Sequence, residues 1–346
     1  GLDYTYDSGD FPKNMAMGLK AADWAGFEAR RAEAKARGKL RGIGIANAIE
    51  SAGGPHRGPL EEAAEIRFDS GGNVTLLMGS HNHGQGHETV FRQIASERLG
   101  IPAERIRFIN GDTDIVTHGR GTIGSRSMMA AGGALVGAAE RIIARGKKIA
   151  AHFMEAAEAD IEFSEGQFRI AGTDRGIGIE ALARRSYIPG QLPMGEELGL
   201  STLLITRPGD ATFPNGCHIA EVEIDPETGE AQTVAYVVVD DVGTVINPLL
   251  LKGQIHGGIA QGLGQVFGED IRYDANGQLL TASFMDYLMP RAADFPDMVV
   301  KSNPVPTKTN PLGVKGAGEA GTVGALPVLI NAVVDALSDY GVNHVE

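Results

Sequence analysis

The sequence predicts an α+β fold of two related subdomains, in which β-hairpins or mixed sheets pack against helices and glycine-rich loops lie between the subdomains. Two segments, AEIRFDSGGNVTLLMGS (64–80) and AEVEIDPETGEAQTVAYVVVDD (220–241), both have the pattern of a strand, a tight Asp/Gly turn and a second strand. Each is followed by a glycine-containing loop and a helical pattern, at 84–100 and at 253–268. Because the pattern occurs twice, we expect two related units.

The first strand of each hairpin is predicted from its alternation. Ile66 and Phe68 in one hairpin, and Val222 and Ile224 in the other, alternate with charged residues, which is typical of half-buried strands. The stretch YIPGQLPMGEELGLSTLL near 187–204 marks a boundary. The predicted organisation is a tail of a preceding region with a helical linker (1–40), a first subdomain (41–195) and a second subdomain (196–346).

A Gly-Gln pair lies near the predicted start of the helix in each unit, at Gln85 and at Gln254. A helix N-terminus offers unpaired N–H groups and a partial positive charge, which suit phosphate or another anion. Two such helix entries would hold one extended anionic ligand. The alternative is that the repeat reflects only the packing of hairpins and helices.

Glycine is the compositional outlier, since 48 of 346 residues are glycine, about twice the usual ~7%. The glycines cluster at 79–86, 119–133, 253–268 and 313–324, and we expect these clusters to form loops around one site. The last cluster lies within NPLGVKGAGEAGTVG (310–324), which surrounds the acid Glu319 with glycines. The alternative is a flexible surface loop with a solvated Glu319.

Composition excludes several classes of protein. The chain is long enough for two domains, and its apolar runs are of strand length, short of the roughly 20 residues that span a bilayer. A formal charge of −13, from 31 basic and 44 acidic residues, argues against nucleic acid as a partner. The mixed-charge segment EARRAEAKARGKLR (28–41) predicts a solvated helix face.

Cys217 is the only cysteine, so this chain forms no internal disulfide and builds no iron–sulfur site by itself. A reducing, cytoplasmic compartment fits this usage best. The chain begins GLDYTYDSGDF, without an initiator Met, so a segment upstream is expected to be missing.

Histidines and hydroxyl residues mark two further motifs. HNHGQGH carries His81, His83 and His87, which suit a metal, although no carboxylate or Cys is spaced to complete a site. The alternative use is hydrogen bonding by His87 and Thr89 at a helix start. Gly-Ser-Arg-Ser at 124–127 precedes an Ala/Gly-rich helix and suits polar or phosphate edges. Neither a complete dinucleotide-binding fingerprint nor a P-loop occurs.

The motifs GQGHET, GRGTIGSRS, NPLLLKGQIHGGIAQGLGQ and NPLGVKGAGEAGTVGALP occur in this order along the chain. Their order and spacing resemble the C-terminal half of the large subunit of molybdenum hydroxylases. This superfamily includes xanthine dehydrogenase, aldehyde oxidase and aerobic carbon monoxide dehydrogenase, and the sequence is most similar to the carbon monoxide dehydrogenase large-chain branch. The resemblance covers essentially all 346 residues.

The resemblance implies a molybdenum centre held by a pterin dithiolene, as the cytosine dinucleotide in the bacterial branch, and buried between the subdomains. No side chain of this chain would ligate the metal directly. The residues that it places at the cofactor are Gly84, Gln85, Gly86, His87, Thr89, Gly124, Ser125, Arg126, Ser127, Asp241, Asn247, Gln254, Gln261, Lys315, Gly316 and Gly318. As catalytic residues it implies Glu319, which matches the family's active-site glutamate, and Gln85, which would hydrogen-bond beside the metal.

The resemblance also implies partners: the N-terminal half of the large subunit, an iron–sulfur small subunit and an FAD-carrying medium subunit, assembled as a dimer of heterotrimers. Carbon monoxide, an aldehyde and an N-heterocycle all remain open as substrates. Cys217 lies outside the context of the copper-binding cysteine of carbon monoxide dehydrogenases, so we expect a buried structural thiol. Two alternatives are a non-catalytic cofactor-binding or assembly module of the same fold and a histidine–metal hydrolase built on HNHGQGH.

Overall fold

A computed structural model of the chain describes residues 5–53 and 61–345. In this part of the chain the α-helices are α1 (Phe11–Ala21), α2 (Phe27–Ala36), α3 (His87–Leu99), α4 (Gly132–Met154), α5 (Ile179–Arg185), α6 (Pro248–Phe267) and α7 (Ala320–Ala336). The strands are β1 (Leu40–Ile49), β2 (Glu62–Phe68), β3 (Val74–Met78), β4 (Ile106–Asn110), β5 (Ile161–Ser164), β6 (Gln167–Ile170), β7 (Gly176–Gly178), β8 (Ser201–Thr206), β9 (Asn215–Ile224), β10 (Ala231–Asp241) and β11 (Met298–Ser302). The predicted α+β class is confirmed.

The chain forms two compact units. The central unit comprises residues 53–210 and 309–312, and the terminal unit comprises 1–52, 211–308 and 313–346. This division differs from the sequence-based one, which starts its subdomains at residues 41 and 196. The difference arises because β1 pairs along its whole length with β9, in the terminal unit, whereas β8 pairs with β2, in the central unit.

Both units have the same chain topology. In the central unit β2 and β3 form an antiparallel hairpin, α3 follows, and β4 returns parallel to β3. In the terminal unit β9 and β10 form the hairpin, α6 follows, and β11 returns parallel to β10. The predicted repeat of hairpin and helix is confirmed, and it extends to the parallel strand and to the next helix, α4 or α7.

The predicted start of the second repeated helix is wrong. α6 begins at Pro248, and the Asn247 side chain caps it by accepting a hydrogen bond from the Leu250 N–H at 3.2 Å. Asn at the N-cap and Pro at the first helical position are both favourable. Gln254 therefore lies in the second turn of α6, whereas Gln85 precedes α3 by two residues. The two Gly-Gln pairs are not at equivalent helix entries.

The terminal-unit sheet has the strand order β1-β9-β10-β11 and is covered on both faces. One face packs Val222, Tyr236 and Val238 against α6 and α7. The opposite face packs Ile219 and Cys217 near Phe27 of α2. Burial raises the pKa of the Cys217 thiol to about 11, so this cysteine is the buried structural thiol that the sequence predicts.

The basic residues of α2 were predicted to face solvent, and this is wrong for two of them. Arg30 forms an ion pair with the buried carboxylate of Glu221 at 2.6 Å. Arg31 pairs with Asp335 of α7. These contacts fix α2 on the sheet, because Glu221 lies on β9, and they explain why a strongly charged helix packs against the core.

The central-unit sheet has the strand order β4-β3-β2-β8, and α4 packs against β2, β8 and α3. Together with the short π-helical turn before it, α4 forms the segment 127–154, the one helix of the described chain that is long and apolar enough to cross a membrane. The most apolar 18 residues of this segment are 61% buried inside the protein. We interpret it as a core helix of the central unit.

Glycines let α7 approach its neighbours within backbone contact. A Cβ atom on Gly44 of β1 would lie 2.0 Å from the Val328 carbonyl oxygen, and one on Gly258 of α6 would lie 2.8 Å from the Thr322 nitrogen. Distances this short are not tolerated by real Cβ atoms. The position of α7, and of the residue that precedes it, is therefore set by close packing against β1 and α6.

Replacing Gly44 by alanine should destabilise the protein by about 1–3 kcal/mol, because the added methyl group has to displace backbone of α7. Gly253→Ala in α6 is the matched control, since its Cβ would meet nothing within 4 Å; alanine there should leave stability unchanged or raise it by up to ~1 kcal/mol. Urea unfolding of both variants measures the difference. Equal stability of the two variants would contradict the packing described here.

Candidate functional site

Two glycine-rich loops of the central unit lie against each other. A Cβ on Gly119 would lie 2.1 Å from the carbonyl oxygen of Gly79, so their backbones touch. The Thr122 hydroxyl donates to the His81 carbonyl at 2.6 Å, and the Ser127 hydroxyl lies 2.9 Å from that of Thr122. The structure therefore brings the start of the HNHGQGH motif (81–87) against the GRGTIGSRS motif (119–127).

Gln85 and two histidines interact within the first loop. The Gln85 side-chain oxygen accepts the His83 N–H, and its amide nitrogen lies 3.3 Å from His83 Nδ1. The rings of His81 and His83 are joined by a hydrogen bond of 2.7 Å between Nδ1 and Nε2. Within the described residues, no group of three or more His, Cys, Asp or Glu is placed to hold a metal ion. The histidines thus shape the loop around Gln85.

His87 is the first residue of α3 and is buried, with 5% of its surface exposed. Burial, aided by the nearby rings of His83 and His81, lowers the pKa of His87 to about 4, so the ring is neutral at pH 7. Among the described residues, none hydrogen-bonds its Nδ1. A neutral ring with this atom at a helix N-terminus suits a polar ligand group.

The remaining residues expected to bind the cofactor in GQGHET are two glycines before α3 and Thr89 in its first turn. Gly86 is the N-cap of α3 with φ +81°, and Gly84 has φ +112°. A Cβ on Gly84 would meet nothing within 4 Å, so the backbone there is open to a ligand. Thr89 is exposed in the first turn of α3.

The Arg126 guanidinium is held inside the central unit by an ion pair. It is 1% exposed and pairs with the buried Glu62 carboxylate at 2.6 Å. Burial raises the pKa of Glu62, and the guanidinium opposes that shift. Before Arg126 the chain turns through left-handed conformations at Gly124 (φ +55°) and Ser125 (φ +52°). The ion pair therefore fixes a strained turn at the entry to α4.

In the terminal unit, Glu319 is half-buried and is the N-cap residue of α7. Its carbonyl accepts the N–H groups of Thr322 and Val323 at 2.9 and 3.1 Å. Before it, Gly318 is exposed, and the Gly316 N–H donates to the Thr212 hydroxyl at 3.2 Å. A carboxylate at the N-terminus of a helix is favourably placed in the helix dipole.

Lys315 and Asp241 bind each other. The Lys315 ammonium donates to Asp241 Oδ2 at 2.6 Å and to the Ser8 carbonyl at 3.0 Å, and both side chains are fully buried. Asp241 Oδ1 accepts the N–H groups of Gly243 and Val305 at 2.9 and 3.0 Å. These contacts fix the start of the loop that carries Glu319.

A chain of buried amides extends this network. Asn303 donates to Asn14 and Asn14 donates to Asn215, each at 2.7 Å, and Asn215 reaches Asp241 Oδ2 at 3.3 Å. These asparagines were not predicted from the sequence. The signal available was weak, because Asn14 lies in a helical pattern and Asn215 at a strand start, and only the tertiary structure joins them.

The glutamines of α6 lie seven residues apart, so they share one side of the helix. Gln254 is half-buried, and Gln261 is exposed and lies 3.4 Å from the Thr322 hydroxyl of α7. Gly253 and Gly257 lie nearby on α6, and a Cβ on either would meet nothing within 4 Å. Neither packing nor a positive φ requires glycine at these two positions, and the space beside them is open.

Comparison with known proteins identifies the family of this chain. The family described as "Molybdopterin cofactor-binding domain" matches residues 17–296. The chain is 38% identical to the carbon monoxide dehydrogenase large chain of Afipia carboxidovorans, covering 100% of this chain and 44% of the relative. It is 33% identical to the 6-hydroxypseudooxynicotine dehydrogenase complex subunit gamma of Paenarthrobacter nicotinovorans, covering 97% and 42%.

A solved structure has the same fold. The Cu,Mo-CO dehydrogenase in its carbon monoxide reduced state matches with a TM-score of 0.89 and 36% identity, over 99% of this chain and 44% of that chain. The fold is thus that of large chains of molybdenum enzymes. The chain belongs to the molybdopterin cofactor-binding domain family, and it spans less than half the length of these relatives.

The residues present fit a molybdenum–pterin cofactor. In the central unit, the N-terminus of α3, the available Nδ1 of His87 and the open backbone at Gly84 suit a polar, anionic group. In the terminal unit, the free space beside Gly253 and Gly257 of α6 leaves room for a bulky group. A cofactor that ligates its own metal needs no cluster of metal-binding side chains.

Breaking the Lys315–Asp241 pair should strongly lower the stability of the folded protein. Lys315→Met leaves a buried carboxylate without its cation and should destabilise the protein by about 3–5 kcal/mol. The double variant Lys315→Met, Asp241→Asn should lose less stability than Lys315→Met alone, because no uncompensated buried charge remains. Lys148→Met, which removes an exposed pair with Glu196, should cost under about 1 kcal/mol. Chemical unfolding measures all three; similar losses for Lys315→Met and Lys148→Met would contradict the assignment.

The neutral state of His87 predicts a pH dependence. Its folded pKa of about 4 lies below the ordinary 6.5, so the unfolded chain takes up a proton first as the pH falls, and stability decreases between pH 6.5 and 4. From pH 7 to pH 5 this loss amounts to about 2 kcal/mol. His87→Leu should remove that part of the slope when urea unfolding is measured at both pH values. An unchanged slope would show that His87 is not neutral in the folded protein.

Proposed function

We propose that this chain is the cofactor-binding part of a molybdenum hydroxylase large subunit and that Glu319 is the base that accepts a proton from the reacting groups. The observation that carries this proposal is the position of Glu319 at the N-terminus of α7, with α7 held by backbone contacts to β1 and α6. A base has to be held within hydrogen-bond reach of the proton that it removes. General-base catalysis of this kind contributes about 10²- to 10⁴-fold in rate.

The Glu319 loop is fixed from two sides. After Glu319, its carbonyl is bound by the first N–H groups of α7. Before it, Lys315 is anchored to Asp241 and to the Ser8 carbonyl. Between these anchors the small residues Gly316 and Gly318 leave the backbone able to pass close to a ligand. This arrangement supports a carboxylate that is rigidly placed beside a bulky group.

The cofactor proposed for the site is a molybdenum–pterin in the cytosine dinucleotide form. When bound, the molybdenum would supply the redox chemistry by accepting the electrons that leave the substrate. The residues proposed to hold it are those of the α3 entry, Gln85, Gly86 and His87, with Ser127 and the α6 glutamines Gln254 and Gln261. In this proposal the neutral His87 donates or accepts one hydrogen bond, and Gln85 presents its amide beside the metal.

The substrate class proposed is a small molecule that is hydroxylated with oxygen from water: carbon monoxide, an aldehyde or an N-heterocycle. The names of the two relatives, one a carbon monoxide dehydrogenase and one a dehydrogenase of 6-hydroxypseudooxynicotine, differ in substrate although both cover nearly this whole chain. The residues that choose the substrate are therefore proposed to lie in the other half of the large subunit.

We also propose partners. The relatives are more than twice as long as the match, and one of them is by its name a subunit of a complex. The proposed partners are the N-terminal half of the large subunit, an iron–sulfur small subunit and an FAD medium subunit, in a cytoplasmic dimer of heterotrimers. Because Cys217 is buried and alone in the chain, the iron–sulfur clusters would belong to these partners.

Glu319→Gln in the complete complex should leave folding and molybdenum content near those of the unchanged protein but lower kcat by at least about 100-fold, because the amide cannot accept the proton. Glu227→Gln, in the exposed turn between β9 and β10, is the control and should keep full activity. Dye-linked turnover and metal analysis provide the measurements. A Glu319→Gln enzyme with most of its activity would exclude this role, and a complex without turnover before substitution would favour a non-catalytic cofactor-binding module.

A further inference from the structure

Three polar residues lie buried on the face of the terminal-unit sheet that packs against α6 and α7. His218 of β9 is directly opposite Val238 of β10, so Tyr236 and Asp240, two residues to either side of Val238, share its face. All three are at most 2% exposed. We call them the His218 trio; the proposed chemistry makes no use of them.

The trio forms a defined arrangement. His218 Nδ1 lies 2.8 Å from the Tyr236 hydroxyl, and Nε2 lies 3.5 Å from Asp240 Oδ1. Burial, with the nearby Asp240 carboxylate, raises the pKa of Tyr236 well above 10, so the phenol keeps its proton and lies within hydrogen-bond distance of Nδ1. The second ring nitrogen, Nε2, faces Asp240.

Burial of the His218 trio is unfavourable for the free energy of folding. Among the described residues, none makes a hydrogen bond of good geometry with His218 Nε2 or Asp240 Oδ2. A buried polar atom left in this way costs about 1–3 kcal/mol relative to a satisfied one. The surrounding residues, such as Val238, Ile259 and Val328, are apolar. Polar residues kept in an apolar layer at such a cost indicate a role other than stability.

The His218 ring is also the surface on which α7 rests. A Cβ on Gly324 would lie 2.3–2.6 Å from three ring atoms of His218, so the helix backbone sits directly on the ring. Gly324 is five residues after Glu319, little more than one helical turn. Gly216 leaves the matching space on the sheet, because a Cβ there would lie 1.8 Å from Asp240 Oδ1.

We propose that the His218 trio positions Glu319: Tyr236 and Asp240 hold the His218 ring in one orientation, and the ring sets where the first turns of α7 lie over the sheet. His218 is thus a positioning residue that acts through α7. The expected effect of His218 on turnover rests on the proposed function of Glu319. The effect of His218 on the position of α7 is independent of that function.

The position of residue 319 is measurable without turnover. Glu319→Cys introduces a thiol at the N-terminus of α7, where the helix favours the thiolate. The only native cysteine of the chain, Cys217, is buried and has a raised pKa of about 11, so it should not react. The assembled complex is labelled with iodoacetamide, and mass spectrometry follows the labelling of the peptide after Lys315. The labelling rate reports the surroundings of the new thiol.

In the Glu319→Cys background, adding His218→Phe should change the labelling rate at least about threefold, because a shift of α7 over the sheet changes the exposure and the charged surroundings of the thiol, on which its reactivity depends. Thr233→Val is the matched control: it removes another buried hydroxyl of β10, away from Gly324, and should leave the rate unchanged. An unchanged rate with His218→Phe would overturn the proposal. If His218→Phe does not assemble, Tyr236→Phe, which removes only the hydroxyl that holds the ring, has to change the rate; no change would equally overturn it.

Kinetics separate this inference from the proposed function. With Glu319 intact, His218→Phe should lower kcat about tenfold with KM unchanged, as expected for an interaction used only in the transition state. If labelling responds to His218→Phe but Glu319→Gln is fully active, the positioning role stands and the base assignment fails. If Glu319→Gln is inactive but neither labelling nor kcat responds, the base assignment stands and the positioning role fails.

Discussion

The buried contact between the Lys315 ammonium and the Asp241 carboxylate is the interaction on which the terminal-unit site depends. It joins the end of β10 to the loop before α7, and through the Ser8 carbonyl it also holds the segment before α1. The central unit has a counterpart, since Arg126 joins the loop before α4 to Glu62 at the start of β2. In both units, therefore, the loop between the parallel strand and the next helix is anchored by one internal charge pair. Such pairs add little net stability but specify one arrangement where a flexible loop would adopt many.

Close packing adds a second constraint of a different kind. α7 touches β1 and α6 through glycines, and the absence of side chains there removes the freedom of the helix to slide. The N-terminus of α7 is consequently a rigid point in the fold, although the residues just before it are glycine-rich. A precise site therefore results from a loop with little intrinsic order, because both of its ends are fixed.

Much of the fold could be predicted from sequence because its signals are local. The two hairpins follow from alternation and turn residues, and the ordered motifs led to the correct family. The start of α6 was missed because the glycines at 253 and 257 obscured the Asn247-Pro248 capping signal. The contacts of Asp241, Lys315 and Arg126 could not be predicted, since Lys315, for example, binds a carboxylate 74 residues away and a carbonyl 307 residues away. A motif marks a charged residue as important but does not say whether it faces a ligand or the interior.

The amide chain of Asn14, Asn215 and Asn303 has a consequence for protein engineering. Together with Ser8 and Asp241, these residues tie four distant stretches of sequence to the short loop that carries Glu319. A designer who transplanted the loop and α7 alone into another scaffold would leave its lysine without an acceptor and its backbone without a fixed course. The smallest portable form of this site is the whole sheet with the segment that leads into α1, and circular permutation is better suited than loop grafting to move it.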